Sequence, residues 1–435
     1  MLRGVSLRKI LDCIGSVFDN QYDGRKQEQC SYQLSDAALG AFSVFYTQSA
    51  SFLEHQRGLQ KRKGKSNAKN IFGLEQIPTD THIRTLLDGI NAKCLGVVYR
   101  HIINSTEKQK KLASFQVKDQ KQSYYLLALD GTEYFSSEKI SCKHCTKTER
   151  DGKIRYSHSM IPPVLVHPKQ KEVLSLEPEF IRPQDGDEKQ DCESKAIKRW
   201  LKDTSPHYNL DKVIVLCDDL HSHQPQCDAV LARGWDFIFI CKPDSHKTLY
   251  DYLKLSTIQT VTERHWNGKY AEIHTYSFAS DLPLRDSKDA LDVNWCELRI
   301  TREDNQKLIY HNSFAVSLTI TANNVIDIVA WGRCRWKTEN ENNNTLKTNH
   351  NLEHNFGHGS NGLSCLLASL ILLAFLTHSL FNLFDKRYQA IRLDLVTRRS
   401  FFENLRSMLI FNIFQDWSHL LDFMIDGLEI QFDSS

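Results

Sequence analysis

Two apolar segments that each end in aspartate constrain the fold of this 435-residue chain more than any other feature. Residues 123–129 (Ser-Tyr-Tyr-Leu-Leu-Ala-Leu) run into Asp130-Gly131, and residues 213–217 (Val-Ile-Val-Leu-Cys) run into Asp218-Asp219. Short apolar runs bounded by turn residues are typical of buried strands. Two strand-end aspartates can converge only in a folded α/β domain, so the sequence predicts one.

The surrounding pattern supports this class, because predicted strands alternate with a predicted helix. The predicted strands are 124–129, 164–167, 213–217 and 237–241, and the helix is 189–202. Residues 258–330 are nearly pure β in pattern, with strands at 270–278, 295–302 and 313–320. The β pattern predicts an insert in the α/β core. The domains predicted are 1–120 (helical, N-terminal), 121–257 (first part of the core), 258–330 (insert) and 331–435 (second part of the core and C-terminal helices).

The N-terminal region has helical spacing of apolar residues at 5–19 and 35–57, the second starting at a cap at Ser35-Asp36, and a further helix at 83–87. Residues 57–67 carry many bases and are predicted to be a loop. Residues 1–120 contain 18 Lys and Arg against 11 Asp and Glu, a balance of +7, although the whole chain has a net charge of only +2. This excess makes the N-terminal region the expected site of phosphate attraction, so residues 1–120 are predicted to be a DNA-binding region.

A third acid follows the insert. Arg335 and Glu339 are four residues apart at the start of a helical pattern, so they share one helix face. Two strand-end aspartates and a helix-borne glutamate are the groups that a divalent-metal phosphoryl-transfer site requires. Magnesium prefers such hard oxygen ligands, with Mn²⁺ as a substitute.

Three blocks resemble the catalytic core of insertion-sequence transposases with an RNase-H-like fold and an Asp-Asp-Glu triad. They are 129–137 (Leu-Asp-Gly-Thr-Glu-Tyr-Phe-Ser-Ser), 217–225 (Cys-Asp-Asp-Leu-His-Ser-His-Gln-Pro), and 335–341 with 352–359. The β-rich insert before the third block is a feature of one subgroup of this family. The resemblance implies an RNase-H-like mixed sheet with flanking helices, and it covers most of the chain from Ser35 onward.

By this resemblance Asp130, Asp218 and Glu339 match the three acids that bind Mg²⁺. The subgroup's signature places a Tyr three residues before an Arg, the Glu four residues after that Arg, and a Lys seven residues after the Glu. Arg335 fits this spacing, whereas Gly332 stands at the Tyr position and Lys347 comes one residue late. Asp219 is the alternative to Asp218, and Glu341 and Glu353 are the alternatives to Glu339.

The function that the resemblance implies is cleavage and strand transfer of double-stranded DNA, with transposon ends and target DNA as partners. The expected protein is a homodimer in its active complex, in the cytoplasm and associated with the nucleoid. Two alternatives remain open at this point: a nuclease of the same fold without strand transfer, and an inactive remnant that only binds DNA.

Twelve cysteines are spread along the chain, which favours reduced thiols in a cytosol over a disulfide scaffold. Cys142 and Cys145 have the spacing of half a zinc site, with His144, His158 and His167 close by in the sequence; a zinc site and a reduced hairpin are both open. The His-rich segment 350–358 is interpreted as a polar loop.

Residues 363–381 are apolar enough to suggest a membrane span, but their Ser and His residues favour a buried core helix and no membrane contact. Trp295, Trp331 and Trp336 are interpreted as packing residues.

Overall fold

The computed structural model describes residues 5–25, 30–119, 122–183 and 191–431, and it shows a mixed α/β protein. The predicted class is therefore confirmed. Within the described residues, the N-terminal region is mainly helical. Its α-helices are α1 (Leu7–Asp19), α2 (Leu34–Tyr46), α3 (Phe52–Leu59), α4 (Arg62–Phe72), α5 (Asp80–Leu87) and α6 (Gly96–Lys108).

Two expectations about this region were wrong. The pattern at 35–57 is two helices, because the chain leaves α2 after Tyr46 and Ser51 starts α3 by accepting a hydrogen bond from the Glu54 N–H. The basic segment 57–67 is not a loop, since most of it is the turn between α3 and α4 and the first half of α4. Gly64 permits this arrangement: a Cβ there would overlap the backbone of Gly58 and Leu59, so only glycine lets the two helices approach so closely.

The centre of the molecule is a mixed sheet of ten strands. The first strands along the chain are β1 (Gln116–Asp119), β2 (Gln122–Ala128), β3 (Thr132–Ser137), β4 (Thr146–Arg150), β5 (Lys153–Ile161), β6 (Val164–Val166), β7 (Leu174–Ser175) and β8 (Glu179–Ile181). After α7 (Glu193–Arg199) come β9 (Val213–Cys217), α8 (Gln224–Ala232), β10 (Asp236–Ile240) and α9 (Lys247–Leu253). Strand β2 is parallel to β9 and antiparallel to β6, and β9 is parallel to β10. All four strands predicted for the core are present.

A second, four-stranded sheet lies beside the first and was not predicted. Its order is β3-β5-β4, with β8 paired to β5. Strand β3 starts two residues after Asp130, so this small sheet continues directly from the end of the central strand β2.

The β-rich insert is a meander of four antiparallel strands, β11 (Gln259–Trp266), β12 (Ala271–Pro283), β13 (Asp292–Arg302) and β14 (Leu308–Val316). It joins the central sheet because β14 pairs with β10. The strand order of the whole central sheet is β11-β12-β13-β14-β10-β9-β2-β6-β7, with β1 also paired to β2. The predicted extent was too long. The strands end at Val316, and residues that were assigned to the insert form the helix α10 (Val325–Arg333).

The C-terminal region is helical. A π-helical turn, Thr338–Asn343, precedes α11 (Asn344–Asn349), α12 (Leu363–Phe384), α13 (Lys386–Asp394), α14 (Arg398–Phe411) and α15 (Trp417–Gly427). In the described part of the chain, α12 is the one helix long and apolar enough to cross a membrane, and its most apolar 18-residue window is 100% buried in the protein. This agrees with the expected core helix.

The N-terminal and C-terminal helices pack into a common core. The His378 ring on α12 contacts the Tyr46 carbonyl through Nε2 at 2.8 Å, and the Tyr99 hydroxyl donates to the Ser369 carbonyl at 2.6 Å. Residues 1–120 are thus a region defined by charge and helicity, and their core is shared with residues from 331 onward.

Candidate active site

The two strand-end aspartates leave the same edge of the central sheet. In the parallel pair of β2 and β9, Ala128 lies opposite Leu216, and each acid follows its paired residue by two positions. The Leu129 N–H donates to the Leu216 carbonyl at 2.9 Å and extends this register to the strand ends. Local sequence therefore determines the strands, and their parallel pairing brings Asp130 and Asp218 together.

Arg335 joins the third acid to the first. Its Nη1 lies 3.2 Å from Asp130 Oδ2, and its Nη2 lies 2.7 Å from Glu339 Oε1. The Arg335 side chain is only 15% exposed, and its Nε is buried without a hydrogen-bond partner among the described residues. The four residues predicted for the site, Asp130, Asp218, Glu339 and Arg335, thus lie at one place.

Glu193 is a fourth carboxylate at this place, and it was not among the residues predicted from the sequence. It begins α7, and a Cβ added to Gly131 would overlap its carboxylate, which places it directly against the residue after Asp130. The His221 Nε2 lies 3.5 Å from Glu193 Oε2 and 3.7 Å from Asp218 Oδ1. The helix containing Glu193 was predicted. Glu193 could have been noticed as an acid in the first turn of that helix, but no sequence pattern indicated that it would lie next to Asp130.

Negative charge exceeds positive charge in this cluster. The pKa of the Asp130 carboxyl is raised to about 6. Burial is the largest cause, and the nearby charges of Glu339, Asp218 and Glu193 act in the same direction, while Arg335 opposes them. A cluster of carboxylates with a single guanidinium offers hard oxygen ligands and a deficit of positive charge, so its donors fit a divalent cation such as Mg²⁺.

The neighbouring acids Asp218 and Asp219 have different surroundings. Asp219 Oδ1 accepts the Lys242 N–H at 2.6 Å, and its Oδ2 accepts the Ser245 hydroxyl. These bonds attach Asp219 to the segment that follows β10. The Asp219 side chain is 19% exposed, whereas the Asp218 side chain is 40% exposed. The contacts make Asp219 a structural residue and leave Asp218 facing the cluster.

The two alternatives to Glu339 are placed differently. Glu353 pairs with Lys347 at 2.8 Å. Glu341 is partly buried and makes no ion pair with any other described residue. Of the three glutamates, it is Glu339 that contacts Arg335.

The structure offers a reason for each of the two positions at which the chain departs from the signature of the transposase subgroup that it resembles, Gly332 and Lys347. A Cβ at Gly332 would lie 2.8 Å from Ile238 Cγ2 and 2.9 Å from Phe314 Cε1, so α10 packs against the sheet where no tyrosine ring would fit. The late position of Lys347 follows a π-helical turn, Thr338–Asn343, whose i→i+5 bonds accommodate one residue more than an α-helical turn.

The tryptophans also differ from one another. Trp295 and Trp331 are buried as predicted, at 2% and 3% exposure. Trp336, next to Arg335, is 45% exposed, so its interpretation as a packing residue was wrong.

Comparison of the chain with protein-family models and with curated protein sequences finds no match.

Proposed function

We propose that this protein is a metal-dependent DNA phosphoryl transferase of the insertion-sequence transposase type, with an RNase-H-like core. The observation that carries this proposal is the junction of Asp130, Asp218 and Glu339 around Arg335 at one edge of the sheet. The strand arrangement supports the fold assignment: β2 is central, antiparallel to β6 and parallel to β9, and β9 is parallel to β10.

In this proposal Asp130, Asp218 and Glu339 hold Mg²⁺, which supplies activation of the attacking oxygen and stabilisation of the leaving oxygen. Arg335 fixes the relative position of Asp130 and Glu339 through its two ion pairs. His221 lies between Asp218 and Glu193, with its Nε2 3.7 Å from Asp218 Oδ1 and 3.5 Å from Glu193 Oε2. Positioning errors of about an ångström can cost roughly a hundredfold in rate, so the contacts that Arg335 makes contribute to the rate by holding two of the acids in place.

The DNA duplex is proposed to lie along the helix pair α3 and α4. Arg57, Lys61, Arg62 and Lys65 are exposed there, and none of them has an ion-pair partner among the described residues. Rigid helices that present several unpaired bases can contact successive phosphates, which supplies most of the affinity for DNA. The proposed active form is a homodimer on paired element ends, in the cytoplasm and associated with the nucleoid.

The test is a cleavage assay with the full-length protein on DNA that carries the sequences flanking the coding region. We expect Mg²⁺-dependent nicks at the element ends, with Mn²⁺ as a substitute, and joining of the new 3′-hydroxyls to a target plasmid. Glu339→Gln should abolish cleavage because an amide is a poor Mg²⁺ ligand, whereas Glu353→Gln should retain it.

The alternatives give different results in this assay. Cleavage without joined products indicates a nuclease of the same fold. Binding without cleavage by the wild-type protein indicates an inactive remnant. If Glu353→Gln is inactive and Glu339→Gln is active, the assignment of the third acid is wrong.

A further inference from the structure

A second cluster of metal-ligating side chains lies on the small sheet. Cys142 and Cys145 lie between β3 and β4, His158 is on β5, and His358 comes from the segment before α12, two hundred residues after His158 in the chain. Their ligating atoms all lie within 4.8 Å of one another, and three of the four residues are buried.

The distances within the cluster match the edges of a tetrahedron around zinc. Zn–S bonds of about 2.3 Å and Zn–N bonds of about 2.05 Å require edges of about 3.8 Å for S···S, about 3.6 Å for S···N and about 3.3 Å for N···N. The Sγ atoms of Cys142 and Cys145 are 3.8 Å apart, and the Nε2 atoms of His158 and His358 are 3.1 Å apart. The S···N edges from Cys142 to His158, Cys145 to His158 and Cys145 to His358 are 3.5, 3.4 and 3.5 Å.

The residues around the cluster orient its ligand atoms and shield them, which favours binding of a cation. His358 Nδ1 lies 2.9 Å from the Gly359 carbonyl, which can only accept, so Nδ1 carries the proton and Nε2 presents a lone pair to the cluster. The Cys142 N–H donates to Cys145 Sγ at 3.4 Å. Phe135 packs against the His358 ring with centroids 4.5 Å apart, and Tyr134 stacks on His158 at 5.8 Å, so aromatic side chains shield the cluster from water.

We propose that Cys142, Cys145, His158 and His358 bind one structural zinc ion. Two thiolates and two imidazoles in a tetrahedron are a typical structural zinc set, and four protein ligands leave no position for a substrate. Three histidines are close to the cysteine pair in the sequence, and of these His158 is the one that belongs to the cluster. His144 is only partly buried, and His167 Nδ1 accepts the Lys169 N–H. The segment 350–358, interpreted from the sequence as a polar loop in preference to a metal-binding segment, supplies one of the four side chains, His358.

The ion would connect two distant parts of the chain. Strand β3 of the small sheet begins two residues after Asp130, and His358 lies between the Glu339 segment and α12. The zinc ion thus cross-links the chain across the insert and fixes the small sheet against the C-terminal helices. Because binding free energy at such a site is folding free energy, the ion stabilises the fold rather than taking part in the chemistry at Asp130.

The test is metal analysis of the full-length protein, purified without chelator from cells grown with added zinc. We expect about one zinc per chain, the stoichiometry of a single four-ligand site. Cys145→Ser and His358→Ala should each lose most of it, while the matched controls Cys192→Ser, an exposed cysteine, and His354→Ala, an exposed histidine of the same segment, should keep it. Replacement by Co²⁺ should give the absorption bands of a tetrahedral site together with a thiolate charge-transfer band.

A folded wild-type protein that contains no zinc and gives no tetrahedral Co²⁺ spectrum overturns the proposal, and this result does not depend on whether any variant folds. Loss of zinc in His354→Ala with retention in His358→Ala also overturns it. Both measurements are made without DNA, so they are independent of the proposed transposase activity.

Discussion

At the scale of single residues, the candidate active site brings four carboxylates and one guanidinium close together. Asp130 is held beside three other carboxylates and one guanidinium, and most of its surface is buried. Such an arrangement costs folding free energy without a bound cation and gains from one.

The first prediction concerns Asp130→Asn in magnesium-free buffer. The pKa of Asp130 is about 6 in the folded protein and near 3.8 in the unfolded chain, so the folded state holds the proton more tightly. Wild-type stability should therefore fall as the pH rises from about 4 to about 6 and stay lower above that. Asp130→Asn should be more stable than wild type at pH 8 by about 1–3 kcal/mol and equal to it near pH 4, as measured by chemical denaturation. A variant that is less stable at pH 8 contradicts this assignment of charge.

The second prediction separates Asp218 from Asp219. Asp218→Ala should abolish Mg²⁺-dependent cleavage and lower the free energy of unfolding by less than Asp219→Ala does, because it removes only the acceptor of the Leu220 N–H at 3.1 Å. Asp219→Ala should lower that free energy by about 1–3 kcal/mol, because the Lys242 N–H and the Ser245 hydroxyl lose their acceptor, and should retain cleavage below its lower melting temperature. Cleavage by Asp218→Ala together with inactivity of folded Asp219→Ala would reverse the two roles.

The third prediction tests Glu193. Because a methyl group at position 131 would displace the Glu193 carboxylate, Gly131→Ala and Glu193→Gln should lower the cleavage rate through the same change. The double variant should then be little worse than the poorer single variant. Rate losses that multiply would show that Gly131 acts on something other than Glu193.

At the scale of elements, three structures depend on packing rather than local pattern. The lysine-rich segment at 61–69 has no large apolar residue, yet Gly64 lets α4 pack closely on α3. In the small sheet, β4 is polar and mostly exposed, so no apolar run marks it as a strand. The residue sequence gives no sign of the π-helical turn at 338–343.

The fourth prediction concerns the surface of α3 and α4. The double variant Arg62→Ala, Lys65→Ala should bind DNA more weakly, and the slope of log affinity against log salt should decrease by about 0.9 for each phosphate that the variant no longer neutralises. Lys63 and Lys69 are poorer choices because the Lys63 Nζ donates to the Phe411 carbonyl at 2.6 Å and Lys69 pairs with Glu75 at 2.9 Å. Lys288→Ala, an exposed lysine in the insert, is the control. An unchanged salt slope in the double variant would mean that the DNA binds to another surface of the protein.

At the scale of the whole molecule, the helices from both ends of the chain enclose buried histidines. His55 on α3 is surrounded by the hydroxyls of Ser43 and Ser49, and His378 on α12 contacts the Tyr46 carbonyl and the Tyr388 hydroxyl. Burial lowers the pKa of both rings to about 3. The N-terminal region therefore cannot be removed without exposing the core that α12 occupies.

The fifth prediction follows from these two rings. The unfolded chain takes up their protons near pH 6.5, whereas the folded protein excludes them down to about pH 3, so stability should be lost as the pH falls through this window. His378→Gln should be less stable than wild type at pH 7.5, and the difference should shrink by up to about 1.4 kcal/mol per pH unit below about 6.5. Denaturation curves from pH 7.5 to 4 measure this, with exposed His82→Gln as the control. A constant difference would mean that His378 binds its proton equally well in the folded protein and in the unfolded chain.

The sequence by itself determined the α/β class, the core strands and the positions of Asp130, Asp218, Glu339 and Arg335 as candidates. It could do so because apolar runs and the acids at their ends are local signals. Only the tertiary structure decided that Arg335 bridges two of the acids, that Glu193 joins them, that Asp219 is occupied by Lys242 and Ser245, and that His358 meets the Cys142–Cys145 pair. Those contacts join residues that are mostly tens to hundreds of positions apart, and their geometry depends on the packing of whole elements, which no local pattern encodes.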